Sequence, residues 1–286
     1  MKKIIKRIIV VFISFILLIG IVGFVGIRSV IYPKVLVSGH GKYTVLCVGD
    51  SITYGQGVLF KRKKESYPAL LQSELGDVYK VKNYGLCNRT LLKDSMMSYV
   101  NEDFYNESLK ENADYVTIML GTNDSKSGIW NKENFKVEAK DFIESYINME
   151  SNPKVYVMLP PRIYIDGSDG NCNNETLVNE VIPLLKEVSS SLNVEVIDLY
   201  NVTDNHEDYF SDGLHPNFEG NKIIAKEIAK TKKNRDLSLF SFYRHPNTSF
   251  IIFTSYITIR IPFNICILRK LITVHIFKPY IIDVSI

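Results

Sequence analysis

The chain predicts an α/β domain built on a parallel sheet with helices on both faces. Three observations carry that reading. Short apolar runs alternate with helix-patterned segments over about 190 of the 286 residues. The run at 113–120 is almost wholly apolar, as a strand covered on both faces must be. The conspicuous polar clusters each follow an apolar run, which is where open parallel sheets hold their ligands.

Taken in order, residues 43–48 read as the first strand and Gly49-Asp50-Ser51 as the turn leaving it. Ser66-Tyr67-Pro68 opens a helix, with Ser66 as its cap and Pro68 in the first turn, and Gly76 closes it. Residues 78–84 form a second strand and 113–120 a third. A helix over 131–149 leads to a fourth strand at 154–159. Residues 175–192 predict a helix kinked at Pro183, and 194–199 a fifth strand. The last helix spans 218–230, with Ile223, Ile224 and Ile228 on one face.

The flanks differ from this core. Lys2, Lys3, Lys6 and Arg7 precede residues 8–27, which carry no charge. Twenty helical residues at about 1.5 Å each match the hydrocarbon thickness of a bilayer. The expectation is a single-pass membrane anchor over 1–28, with the cationic end cytoplasmic and all that follows extracytoplasmic. A cleaved signal peptide, which would release the domain, is the competing reading. The run is longer than a usual signal core, and no A-x-A-like site follows it. Residues 29–42 read as a stalk, 43–232 as the main domain and 233–286 as an atypical tail. Between residues 238 and 286 lie twelve Ile and six Phe but only one acid, with no lasting periodicity. That composition suggests an out-of-frame or read-through extension, or a small strand-rich appendage.

Once the flanks are set aside, residues 35–232 hold 21 basic and 29 acidic residues, a net charge of −8. Nothing there favours nucleic acid as a partner. Cys47, Cys87, Cys172 and Cys266 show neither metal-ligand spacing nor a dense disulfide framework. Cys47, inside the first strand, reads as a buried apolar filler. No metal or organic cofactor is expected.

The chemistry lies at two places. Ser51 sits at the carboxyl end of the first strand, and Asp212-Gly-Leu-His215 lies far downstream. A serine hydroxyl is a poor nucleophile until a base takes its proton. Of the five histidines, His40 is in the stalk, His245 and His275 are in the tail, and His206 lacks a flanking Asp-x-x-His context. His215 is therefore the candidate base, with Asp212 three residues earlier to fix its tautomer. Seen alone, Asp-Gly-Leu-His-Pro also reads as a turn with a capping Asp. Acyl transfer needs donors for a developing oxyanion. The candidates are the Ser51 amide, the Gly85 amide and the Asn123 side chain. Seen alone, Gly85 and Asn123 also read as ordinary turn and loop residues.

Gly49-Asp-Ser-Ile-Thr53, Asn83-Tyr84-Gly85, Gly121-Thr122-Asn123-Asp124 and Asp212-Gly-Leu-His215 resemble, in order, the four blocks of the SGNH (GDSL-type) hydrolases. The resemblance spans about residues 43–231. It implies a flavodoxin-like three-layer fold with five parallel strands in the order 2-1-3-4-5. It also implies Ser51 as nucleophile, His215 as base, Asp212 as its partner, and Ser51, Gly85 and Asn123 as the oxyanion hole. The chain departs from the family after the second block, where Gly85-Leu-Cys-Asn-Arg89 replaces the commoner Gly-x-Ser-Gly-x run. Within the family, Ser66-Tyr67-Pro68 and Gly-Thr-Asn-Asp-Ser-Lys126 look most like carbohydrate O-acetylesterases, including the sialate type. The expected partner is thus a small acyl ester, an acetylated glycan, met by a membrane-anchored serine esterase. Alternatives are a lysophospholipase or thioesterase-type acylhydrolase, a cell-surface O-acetyltransferase using the same residues, and a non-enzymatic glycan-binding module.

Overall fold

The structure, a computed structural model, describes residues 7, 11–21, 23, 33–165, 167 and 171–241, with side chains as far as 231. The chain divides into two compact units, Met1–Thr231 and Lys232–Ile286. All that follows concerns the first.

Six strands form one sheet: β1 (Leu36–Ser38), β2 (Tyr43–Gly49), β3 (Tyr79–Gly85), β4 (Tyr115–Met119), β5 (Lys154–Leu159) and β6 (Glu195–Asp198). Their order across the sheet is β1-β3-β2-β4-β5-β6. Without β1, the remaining five are parallel and follow the expected order 2-1-3-4-5.

The expectation of five strands and a free stalk is corrected by β1. Leu36–Ser38 pairs antiparallel with β3, Leu36 opposite Asn83 and Ser38 opposite Val81. Val35 packs on the core and Pro33 is buried, so the domain begins ten residues before position 43. The signal was weak because three half-exposed residues on a sheet edge leave no alternation to read.

Each central strand is apolar on both sides because helices cover both faces. In β2, Leu46 and Val48 join one core while Val45 and Cys47 join the other, with period two. Helices follow in chain order: α1 (Ser51–Tyr54), α2 (Arg62–Glu65), α3 (Tyr67–Leu75), α4 (Asp103–Ser108), α5 (Lys132–Ile147), α6 (Asn174–Thr176), α7 (Ile182–Ser191), α8 (Leu199–Thr203) and α9 (Phe218–Ser241). On the Leu46 side, α5 contributes Phe135, Ala139, Phe142, Ile143 and Tyr146, and α7 contributes Leu184, Leu185 and Val188. On the Cys47 side lie Tyr67 and Leu71 of α3 with Ile224, Ala225, Ile228 and Ala229 of α9.

Several local expectations are refined. The single helix over 175–192 is instead α6, a π turn over Leu177–Val181, and α7. Pro183 has no amide to give the preceding turn, and the wider turn accommodates its ring. Ser66 does not cap α3 with its side chain. Its hydroxyl donates backwards to the Arg62 carbonyl at 2.7 Å, and the Tyr67 amide donates instead to Asn221 Oδ1 of α9 at 2.8 Å. The last helix runs past 230 to Ser241, and the tail beyond 241 lies outside the described residues. Residues 11–21 are helical, but most of the remaining expected anchor lies outside the described residues. Among the described residues, no helix is long and apolar enough to cross a membrane.

Gly85 ends β3 against the last residues of α1. Its missing side chain is required there, since a Cβ would overlap the Tyr54 amide, which is backbone and has little room to yield. Gly85→Ala should therefore destabilise the fold by about 1–3 kcal/mol. The urea midpoint should fall with an unchanged slope, and an unmoved midpoint would contradict this packing.

Candidate active site

The carboxyl ends of β2, β3 and β4 carry the polar blocks, so the topology gathers residues far apart in sequence at one edge. Ser51 is the first residue of α1, where no carbonyl of its own helix can reach its amide. Asp50 caps that helix, its Oδ1 accepting from the Ile52 amide at 2.9 Å. Ser51 Oγ lies 2.9 Å from His215 Nε2, across 164 residues of chain. His215 Nδ1 lies 2.6 Å from Asp212 Oδ2. Asp212 Oδ1 meanwhile accepts from the amides of His215 at 2.7 Å and Leu214 at 3.0 Å. Ser51 and His215 are buried, and Asp212 is the exposed member. Burial pulls the Asp212 carboxyl up, but the His215 ring and the two amides outweigh it and hold the group below the usual carboxylate range.

The histidine loop is held from three sides. Gly213 takes φ 73, which admits the sharp turn between Asp212 and Leu214. The Gly213 carbonyl accepts from the Tyr164 amide at 2.8 Å. Asn221 is fully buried in α9 and donates to the carbonyls of Pro216 at 2.7 Å and Asn217 at 2.9 Å. Through Tyr67, Asn221 also ties this loop to α3. Sequence reading missed it, because a lone Asn on a helix reads as a surface residue; its position six residues after His215 was the available signal.

Asn123 is buried beside the serine turn. Its Nδ2 donates to the Arg89 carbonyl at 3.1 Å and reaches Asp50 Oδ2 at 3.5 Å, the limit of a hydrogen bond. Gly85 lies at this edge, but its amide is not open to a substrate oxygen. Its amide donates to Asn83 Oδ1 at 2.9 Å, while Asn83 Nδ2 donates to the Thr53 carbonyl at 2.8 Å. The Gly85 amide is thus engaged in joining β3 to α1. The loop beyond it turns at Asn88, which has φ 64, and the Asn88 amide has no acceptor among the described residues. Asp124 clamps the same loop, accepting from the Leu91 and Leu92 amides at 2.8–3.1 Å.

Two buried carboxyls therefore flank the serine turn. Burial raises Asp50 to about 7, against the pull of the Ile52 amide. Burial likewise raises Asp124 to about 6, against the Leu92 and Leu91 amides. The thiols here are no rivals to the serine. Burial pushes both Cys87 and Cys172 up to about 11, leaving little thiolate at neutral pH. Among the described residues, no cluster of His, Cys, Asp or Glu has the makings of a metal site.

The family model of the GDSL-like Lipase/Acylhydrolase family matches residues 47–223. A curated relative, the acetylxylan esterase of Xylanibacter ruminicola, is 33% identical over 208 residues, covering 66% of this chain. The chain spans only 43% of that relative's length. Among solved structures, the carbohydrate acetylesterase Est24 of Sinorhizobium meliloti superposes with a TM-score of 0.57 at 23% identity, covering 68% of this chain and 100% of Est24. A putative arylesterase of Agrobacterium tumefaciens gives 0.57 at 25% identity, over 67% of this chain and 99% of its own. With its blocks in order and its fold shared, the chain belongs to the GDSL-like lipase/acylhydrolase family.

Proposed function

We propose that this protein hydrolyses acetyl esters of carbohydrates through an acyl-Ser51 intermediate. The observation that carries the reading is the continuous chain Ser51 Oγ–His215–Asp212, with links of 2.9 and 2.6 Å. The acetylxylan esterase relative supports an acetylated glycan as the substrate class.

In the first half-reaction, Ser51 Oγ attacks the ester carbonyl as its proton passes to His215 Nε2. Asp212 holds the ring by Nδ1 and stabilises the imidazolium that forms. The oxyanion receives the Ser51 amide and the Asn123 side chain. A third donor is the Asn88 amide, which takes the place sequence reading gave to Gly85. The support is that Asn88 precedes Arg89, whose carbonyl fixes Asn123, and that its own amide is unengaged. The sugar hydroxyl leaves with the proton from His215. Water then attacks the acyl carbon, His215 takes its proton, and Ser51 is released with acetate.

We also propose that residues 8–27 anchor the enzyme in the membrane, with the catalytic domain outside the cytoplasm. The uncharged length and the preceding cations support this reading. The protein should then stay with the membrane after alkaline extraction; complete release into the supernatant would sink the anchor.

Acetate should be released from acetylated xylan-type sugars, and fatty acid should not be released from lysophospholipid. The reverse pattern would overturn the substrate class. Ser51→Ala should abolish both turnover and labelling by a fluorophosphonate probe. Asp212→Asn should lower kcat by up to about 10⁴-fold, because the ring loses its tautomer-fixing partner. Asn123→Ala should lower kcat by about 10²–10³-fold with a smaller change in KM; a raised KM with kcat unchanged would point to ground-state binding instead.

The buried carboxyls generate a pH signature. The folded state holds a proton on Asp50 up to about pH 7, whereas an unfolded Asp loses it near 3.8. Across that window the folded state binds more protons, so this group's contribution to stability is full below it and is lost as pH rises through it. Relative to Asp50→Asn, the wild-type urea midpoint should fall between pH 4 and 7; parallel profiles would show that Asp50 titrates normally.

A further inference from the structure

We infer that the loop at Leu59 and Phe60, with Lys61, Lys63 and Lys64, docks on the anionic lipid surface of the membrane that holds the N-terminal run, so that the active-site mouth faces that surface. This inference rests on the anchoring reading above. Phe60 is 99% exposed and the adjacent Leu59 is partly so, which puts two apolar side chains together at the surface. The loop is rigidly tied to the catalytic edge. Gly57 abuts the carbonyls of Pro216 and His215 so closely that no side chain fits between.

The charge beside this apolar tip runs against its surroundings. Residues 35–232 carry a net −8, yet 61–64 read Lys-Arg-Lys-Lys. Arg62 turns inward, stacked 3.2 Å over the Tyr54 ring and donating to the Tyr54 carbonyl at 2.6 Å. Lys61 pairs with Glu65 at 3.0 Å, whereas Lys63 and Lys64 are exposed and have no partner among the described residues. Apolar side chains inserted between cations suit the interface of an anionic bilayer. A hydrated acidic glycan would use the cations but has no need of Leu59.

The chain path points the same way. Because β1 runs antiparallel to β3, its first residue, Leu36, lies opposite Asn83, near the carboxyl end where the active site is. The chain therefore enters the domain at the catalytic edge. Pro33 is buried in the domain, and the six steps from residue 27 to 33 span at most about 20 Å. An anchored domain must keep this edge close to the bilayer.

The test uses the full chain reconstituted in vesicles of phosphatidylcholine and phosphatidylglycerol, with Trp130→Phe throughout. F60W should report quenching by bromine-labelled lipid. V78W, at an exposed position at the opposite end of the sheet, should not. Each lysine near an anionic surface strengthens partitioning about fivefold, so K61S/K63S/K64S should weaken the loop's contact by about a hundredfold. Hydrolysis of soluble 4-nitrophenyl acetate should be unchanged in that triple variant. Vesicle flotation separates the two readings. Protein that floats while F60W stays unquenched, or while V78W is quenched equally, overturns the loop contact and leaves the anchor standing. Quenching displaced by soluble polygalacturonate would make the surface a glycan site and overturn the lipid assignment. Protein that fails to float overturns the anchor, and the loop contact with it.

Discussion

A single hydrogen bond of 2.9 Å joins side chains 164 residues apart, Ser51 and His215, and the rest of the architecture serves to keep its two ends in register. The serine end is set by where β2 stops and α1 begins. The histidine end is set by a turn that has little regular structure of its own. A turn of that kind holds a side chain to within a fraction of an ångström only if its carbonyls are tied elsewhere. Here Asn221 supplies the tie, and because it also receives the Tyr67 amide, it couples the helix that follows the histidine to α3. The geometry is thus imposed from behind, by a buried side chain with no access to substrate.

What was legible in the sequence was whatever depends on local composition. Apolar runs bounded by turn residues marked all five parallel strands within a residue or two, because burial on both faces leaves an unmistakable pattern. Ser51, Asp212 and His215 were legible because nucleophile, base and orienting acid must be particular residue types. The structure brings those three together as read. What was not legible is which polar group meets which. Gly85 looked like an amide left open to substrate, yet the side chain two residues earlier, Asn83, engages it. The glycine is there for packing against the Tyr54 amide, a contact whose partner lies 31 positions back.

The same limit explains the buried carboxyls. In sequence, Asp50 and Asp124 read only as parts of motifs. In the fold, each makes its strongest contacts with backbone amides, Ile52 for one and Leu91 and Leu92 for the other. Both raise the local cost of solvent exclusion, and both are offset by ordering a segment beside the nucleophile. Asp124 fixes the loop from which Arg89 reaches Asn123, so the donor side chain is positioned at second hand. A site assembled this way gains rigidity from buried carboxyls that accept from backbone amides.

The short strand β1 has a further consequence. Without it, β3 would be the sheet's outermost strand, presenting a row of unpaired amides and carbonyls along seven residues of mixed apolar character. Such an edge is a template for a neighbouring chain. Leu36–Ser38 covers the part of that edge nearest the catalytic end by pairing with Val81–Asn83. The segment by which the chain enters the domain therefore acts as a guard strand against edge-to-edge association.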